Sequence, residues 1–462
     1  MPRKKPEFHH HEIVLELQPD VHPHHLPHYL DLKKKLEPEA HDFGIEVVDK
    51  LIKHLLPQVS ITRVYIPHDD IEDTIKNRLI GEHYSKEEED LGIANTYLLT
   101  FEKEHLPLQR ICNRLKKLPQ VKDAHPNYLV ETYHRFTSLA QYSKAGLWGL
   151  DYTKCREAWK IEKGIPDVKI AVIDTGIDPK HEVFKNKICD NQYDFVHKTT
   201  LLNDPFRYQL IGDYHTPDPD PSDYSGHGTQ CAGIATGSYI KSNGFSGVCP
   251  GATILPLRVF YSYKDMVTQT VTDKGSEVDI SAAIHYAVNA GADIISMSFG
   301  GPKKIYQSSI EYAAKHDVCL FAATGNEGYS AATYPAADKR VMAVGSINSK
   351  GRKTPMSNYG SHYLPFVLAP GQDILCPHLG DSYYHLTGTS IATPFVAGAA
   401  GLMLSLAKRN GKKLTPKDVY HIIGETATVL EGKAKQDKFY GDGILNIEKA
   451  LKETEKRLSI KI

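Results

Sequence analysis

Ser390 stands in the string Gly388-Thr389-Ser390-Ile391-Ala392-Thr393-Pro394, directly ahead of a Gly- and Ala-rich apolar run. Upstream lie Asp174, in Ile173-Asp174-Thr175-Gly176-Ile177-Asp178, and His227, in Gly226-His227-Gly228-Thr229. A serine hydroxyl is a poor nucleophile at neutral pH. It needs a base within hydrogen-bond reach, and that base needs a third group to fix its tautomer. Each residue alone has an ordinary structural reading. An Asp at a strand end is a cap or turn residue, a His-Gly-Thr is a loop, and a Gly-Thr-Ser ahead of a helix is an N-cap.

Taken jointly, in the chain order Asp, His, Ser and within these extended strings, the three resemble the subtilases, the subtilisin-like serine peptidases. The resemblance covers about residues 147–451. It implies Ser390 as nucleophile, His227 as general base and then acid, and Asp174 as the buried carboxylate that orients His227. A fourth string, Ala323-Thr324-Gly325-Asn326-Glu327-Gly328, is similar to the one from which subtilases aim an Asn amide at the tetrahedral intermediate. It implies that role for Asn326, beside the backbone N–H of Ser390. Ile295-Ser296-Met297-Ser298-Phe299-Gly300-Gly301 resembles the family strand that pairs with substrate as an added β-strand. Substrate contacts are therefore expected at Ser298, Phe299 and Gly300. Ala323, Thr324 and Gly325 would form one wall of the primary pocket. Thr333 stands where many relatives carry Gly, which implies a shallower pocket. Pro394 is expected in the first turn of the nucleophile helix, where its missing N–H costs little. Cys231, one turn after His227, should lie beneath it; proteinase K-like members of the family carry a free Cys there.

The resemblance implies no cofactor for the chemistry. Calcium is common in subtilases, yet the position where many place a calcium-binding Asp, nine residues after the catalytic one, is Val183 here. Asp213, Asp218, Asp220 and Asp223 surround a Pro-rich loop and could make a different oxygen-rich site, with a solvated acidic loop as the plainer reading. The metal ligands are thus left unassigned, and a structural calcium stays open. His9, His10, His11, His22, His24, His25 and His28 form a cluster without defined ligand spacing, read as solvated or partly disordered surface.

The chain has 462 residues, 55 Lys+Arg against 56 Asp+Glu, and 41% hydrophobic residues. It is long enough for two domains, and no global field favours nucleic acid or an anionic membrane. Its seven cysteines are scattered without a CxxC pair, neither a disulfide framework nor a zinc signature. With no apolar run behind the basic start, they point to a reducing, cytoplasmic setting. The apolar run 391–407 is just short of a membrane span and reads as a buried central helix.

A seam between about residues 133 and 147 separates a charged, His-rich part from a Gly-rich one. Before it, strands at 11–17, 60–67, 95–101 and 121–133 alternate with helices at 38–56 and 108–119. This βαββαβ order is ferredoxin-like, and it resembles subtilase propeptides, which act as folding chaperones and temporary inhibitors. Residues 84–92 are read as a long Glu-rich loop. After the seam, strands at 168–173, 253–259, 292–299, 318–324 and 340–346 alternate with helices at 277–289 and 308–316. Such repeats imply a mostly parallel sheet covered on both faces, with functional residues at the strands' carboxyl ends. The expected class is α/β, a subtilisin-like three-layer fold preceded by a small α+β ferredoxin-like domain. The expected division is 1–135 propeptide-like, 136–146 linker with a processing site, and 147–462 catalytic.

The leading expectation is a serine endopeptidase made as an autoinhibited precursor. Its partners would be polypeptide substrates and its own N-terminal domain, which occupies the substrate groove until the chain is cut between about residues 133 and 143. The alternatives are a dedicated peptide-processing or transacylating enzyme and a catalytically silent peptide-binding scaffold.

Overall fold

The computed structural model describes residues 7–33, 36–71, 80–81, 83–102, 106–132, 135–138, 144–196, 207–214, 217–301, 303, 305–330, 333–430 and 432–459. Its centre is a parallel sheet. The strand order is Phe366–Pro370, Met342–Ile347, Cys319–Ala323, Ile294–Met297, Lys169–Asp174, Thr253–Arg258, Tyr193–Asp194. These strands are near-continuous apolar runs, as a sheet buried on both faces requires. Helix Glu277–Asn289 packs on one side, capped by Ser276, whose side chain accepts from the Asp279 N–H at 3.1 Å. On the other side runs helix Thr389–Arg409. It is long and apolar enough to cross a membrane, but all of its apolar window is buried inside the protein. Its small residues are the reason: a Cβ on Gly398 would meet the Val248 side chain at 2.6 Å. It is the central core helix, as expected, and the architecture is the expected α/β three-layer one.

The N-terminal part has the βαββαβ order, with strands Ser60–Arg63, Thr96–Thr100, Phe8–Leu17 and Val121–Thr132 side by side and antiparallel. Ile13, Leu15, Val48, Ile52, Leu99, Ile111 and Leu115 give it a core of its own. The helix expected at 38–56 spans only Glu46–Leu55, because Gly44 just ahead is left-handed, at φ 72°; a shorter helix, Tyr29–Lys33, precedes it. Residues 84–92 are not a loop. They contain a helix, Lys86–Asp90, closed by a capping box between Ser85 and Glu88. The histidine cluster is not simply surface. His28 and His9 are buried, while His24 pairs with Asp42 at 2.9 Å and His25 with Glu37 at 2.6 Å.

The two parts share one sheet. Strand Val121–Thr132 leaves the N-terminal core and pairs antiparallel with Val271–Ser276 and with Phe299–Gly300. Val271–Ser276 belongs to a hairpin with Phe260–Asp265, which the sequence reading missed. Val14, Tyr65, Tyr128 and Val130 pack in one cluster with Phe260, Ile280, Ile284 and Phe299. Polar contacts cross the same seam: Tyr65 Oη to Ser309 Oγ at 3.1 Å, and Glu88 Oε1 to His285 Nε2 at 2.9 Å. Both members of the second pair are fully buried. Burial holds His285 below the usual imidazole range, so removing either partner leaves a buried polar group without its contact, at about 1–3 kcal/mol. Glu88→Ala and His285→Ala should therefore each destabilise a Ser390→Ala background by about that amount. The double variant should lose less than the sum, with a coupling of about 0.5–3 kcal/mol in denaturant titrations. Additive losses would show that the pair is not coupled.

Candidate active site

Asp174 ends the strand Lys169–Asp174, and His227 begins the helix His227–Thr236. Asp223 holds them in register. Its two carboxylate oxygens accept from the N–H groups of Ser225, Gly226 and Thr229, and from the hydroxyls of Thr175 and Thr229, at 2.7–3.0 Å. Asp223 is thus consumed in the scaffold and is not an exposed acid of a cation loop, which corrects the idea that it could join such a site. The helix also approaches the Asp174 turn closely, since a Cβ on Gly228 would meet the Gly176 carbonyl at 2.1 Å. The outcome is His227 Nδ1 at 2.6 Å from Asp174 Oδ1, with both side chains about 1% exposed. Burial works against the imidazolium. The Asp174 carboxylate and the Cys231 sulfur outweigh it and hold His227 well above the usual imidazole range.

Ser390 lies in the first turn of helix Thr389–Arg409. Pro394 is not in that first turn but inside the helix. An interior proline lacks the N–H that would bond the carbonyl four residues back. Here that carbonyl is Ser390 O, which instead accepts from Ser298 Oγ at 2.8 Å and Cys231 Sγ at 3.6 Å. Cys231 also comes within 4.0 Å of His227 Nε2. The proline thus ties the Ser390 backbone to the Ser298 strand and to the thiol under the imidazole.

Asn326 is anchored from the same helix. Its Oδ1 accepts from the Thr389 N–H at 2.9 Å and the Thr389 hydroxyl at 3.0 Å. That fixes the amide so that its Nδ2 end faces away from Thr389. Gly325 before it has φ 103°, a conformation that favours glycine. Asn358, which the sequence reading did not single out, accepts from the N–H groups of Glu327 and Tyr329 and donates to Thr324 O. Beside the segment expected to wall the primary pocket, Thr333 Oγ1 donates to Thr324 O at 2.7 Å and meets Tyr363 Oη at 2.8 Å. Thr333 therefore braces Ala323, Thr324 and Gly325 from behind.

The strand through Phe299–Gly300 is occupied. Thr132 pairs with Phe299, and Glu131 with Gly300. Residues 135–138 then pair with Ser382–Thr387, the strand leading into the Ser390 helix. The described chain thus flanks the Asp174, His227 and Ser390 neighbourhood on both sides. Tyr133 and His134 lie outside the described residues, as do 139–143.

Among the described residues, the group close enough to share a metal ion is Asp174, His227 and Cys231, the same cluster. Val183, at the family's calcium position, is fully buried in the core. All seven cysteines are free thiols, six of them buried.

Residues 166–443 match the model of the Subtilase family. The chain is 31% identical over 334 residues to the Thermophilic serine proteinase of Bacillus sp. (strain AK1), covering 72% of this chain and 74% of that one. It is 32% identical over 282 residues to the Major intracellular serine protease of Bacillus subtilis (strain 168), covering 59% and 79%. Its fold is similar to that of the Prenylagaramide maturation protease PagA, with TM-score 0.53 and 29% identity, covering 65% of this chain and 98% of that one. The chain belongs to the subtilase family and is a serine endopeptidase.

Two outcomes follow for the site. Asp174→Asn should lower kcat by about 10⁴. It should also move the acid limb of the kcat/KM profile to lower pH, because the carboxylate that holds the imidazolium is gone; an unmoved limb would mean His227 is not the titrating group. If Asn326 has the oxyanion role the resemblance implies, Asn326→Ala should lower kcat by about 10²–10³ with KM nearly unchanged, since such an amide acts on charge present only in the transition state.

Proposed function

We propose that the chain cuts peptide bonds through an acyl-enzyme and is made as an autoinhibited precursor. Ser390 Oγ attacks the scissile carbonyl carbon while His227 Nε2, in the neutral form that rising pH makes available, takes its proton. Asp174 holds the Nδ1–H and steadies the cation. The Asn326 amide and the Ser390 N–H receive the oxyanion. The proton then passes to the leaving amine, and water repeats the sequence on the ester. The division into 1–135, 136–146 and 147–462 is kept as the frame of this reading, with the processing point moved from the 136–146 linker to just after Tyr133.

The observation that carries the precursor reading is the pairing of Glu131 and Thr132 with Gly300 and Phe299. Strand addition on this edge is how an extended substrate would bind. The register runs toward Ser298, whose hydroxyl holds the Ser390 carbonyl, so the proposed cut follows Tyr133. Residues 1–133 would then act as the inhibitor of the part that follows. A cytoplasmic or otherwise reducing setting is supported by the seven free thiols. A second reading, a protease dedicated to one precursor, is favoured by the likeness to a maturation protease; profiling on a proteome-derived peptide library separates it from a general endopeptidase.

Purified wild type and Ser390→Ala should differ in mass. Wild type should yield a fragment ending at Tyr133 and its complement, and Ser390→Ala should stay at full length. A wild-type chain that stays whole, or a cut that survives in Ser390→Ala, would sink the precursor reading.

A further inference from the structure

Strand Val271–Ser276 lines the other side of strand Val121–Thr132, with Gly275 opposite Val130 and Lys274 opposite Glu131. The next residue along is Asp273. Its Oδ2 accepts from Thr132 Oγ1 at 3.2 Å and from Ser225 Oγ at 3.2 Å, and its Oδ1 accepts from Ser262 Oγ at 2.7 Å. Ser225 is two residues before His227, so this carboxylate belongs to the cleft wall beside the imidazole. It is only 1% exposed. A buried acid of this kind needs donors. Among these contacts the enzyme's own serines supply two, and the chain lying in the cleft supplies the third. Burial pushes the Asp273 carboxyl up to about 6, with the Ser262 hydroxyl opposing the shift. The three hydroxyls directed at it make it an acceptor in this site.

This inference rests on the reading above, in which Glu131 and Thr132 lie where substrate would lie. Thr132 is then the second residue before the cut bond. We propose that Asp273 makes this enzyme selective for substrates that carry a hydrogen-bond-donating side chain at that position, threonine or serine rather than valine. Valine has the same shape as threonine but no hydroxyl. Placed there, it would remove one hydroxyl donor from this buried carboxylate, which is a larger penalty than a missing methylene. Two neighbours extend the pattern. Val130 sits in the apolar cluster with Phe260 and Phe299. Glu131 lies 3.9 Å from Lys274 Nζ, a rim contact of small effect.

The test is a competition in one tube, using the full chain and peptides of its own sequence 129–137. The parent peptide competes with its Thr132→Val copy and its Val130→Gly copy, and cleavage is followed by mass spectrometry. The ratio of cutting rates gives relative kcat/KM regardless of how much enzyme its own N-terminal segment occupies. The parent should be cut about 10-fold or more faster than the Thr132→Val copy, the range for a hydrogen bond to a charged acceptor. In Asp273→Ala that preference should collapse toward unity, while discrimination against Val130→Gly persists. If Asp273→Ala loses both, Asp273→Asn decides, because it keeps the shape and removes the charge; it must lower the threonine preference. Equal cutting of the Thr and Val peptides by a wild type that still disfavours the Val130→Gly copy, or a ratio unmoved in both variants, overturns the proposal. If wild type treats all three peptides alike, or cuts none in a Ser390-dependent way, the reading of the cleft fails rather than the role of Asp273.

Discussion

Everything at the catalytic centre depends on the buried carboxylate of Asp223. It gathers the first turn of the His227 helix and the Thr175 hydroxyl beside Asp174 into one network. These segments are far apart in the chain, and nothing in local propensity would align them. An ionised group taken out of water must be satisfied by donors, and the only way to supply this many is to bring the strand end and the helix start together. The short Asp174–His227 contact is a consequence of that demand. Because Asp174 and His227 are buried beside this network, a single carboxylate can act strongly on the imidazole.

A second constraint runs through helix Thr389–Arg409. Its glycines and alanines let it lie close against the sheet, and Pro394 redirects one carbonyl out of the helix ladder. The first part sets where Ser390 stands, and the second ties its backbone to the strand that lines the cleft. Asn326 joins through Thr389. The helix start thus connects Ser390, the Asn326 amide and the Ser298 strand through direct hydrogen bonds.

Much of this was legible in the residues. The central strands are continuous apolar runs, and helix Glu277–Asn289 carries a plain Ser cap and a Gly after its end. The strings around Asp174, His227, Asn326 and Ser390 are distinctive enough to name the family. What stayed hidden depends on partners remote in sequence. Asp223 looks like any acid in a Pro-rich loop until its donors are known. The hairpin 260–276 alternates polar and apolar residues weakly and lacks a strong turn dipeptide, so it did not stand out as two strands. Glu88 did carry a local signal, the Ser-x-x-Glu of a capping box, which was overridden by the acidity of its surroundings. Its contact with His285 had no such signal. Pro394 was misplaced because a helix start cannot be read to the residue from a run of small side chains.

If the chain is the autoinhibited precursor proposed above, the strand shared by the two halves, Val121–Thr132, also sets how its inhibition would end. While the chain is whole, the strand faces its site at the effective concentration of a short tether, on the order of millimolar. Cutting the tether removes that advantage but leaves every backbone pair and every buried side chain in place. Release is then a matter of dilution, competition or destruction of the segment, and the lag before activity becomes a function of how concentrated the protein is. A crowded compartment would keep such molecules quiet long after the covalent step, whereas dispersal would switch them on.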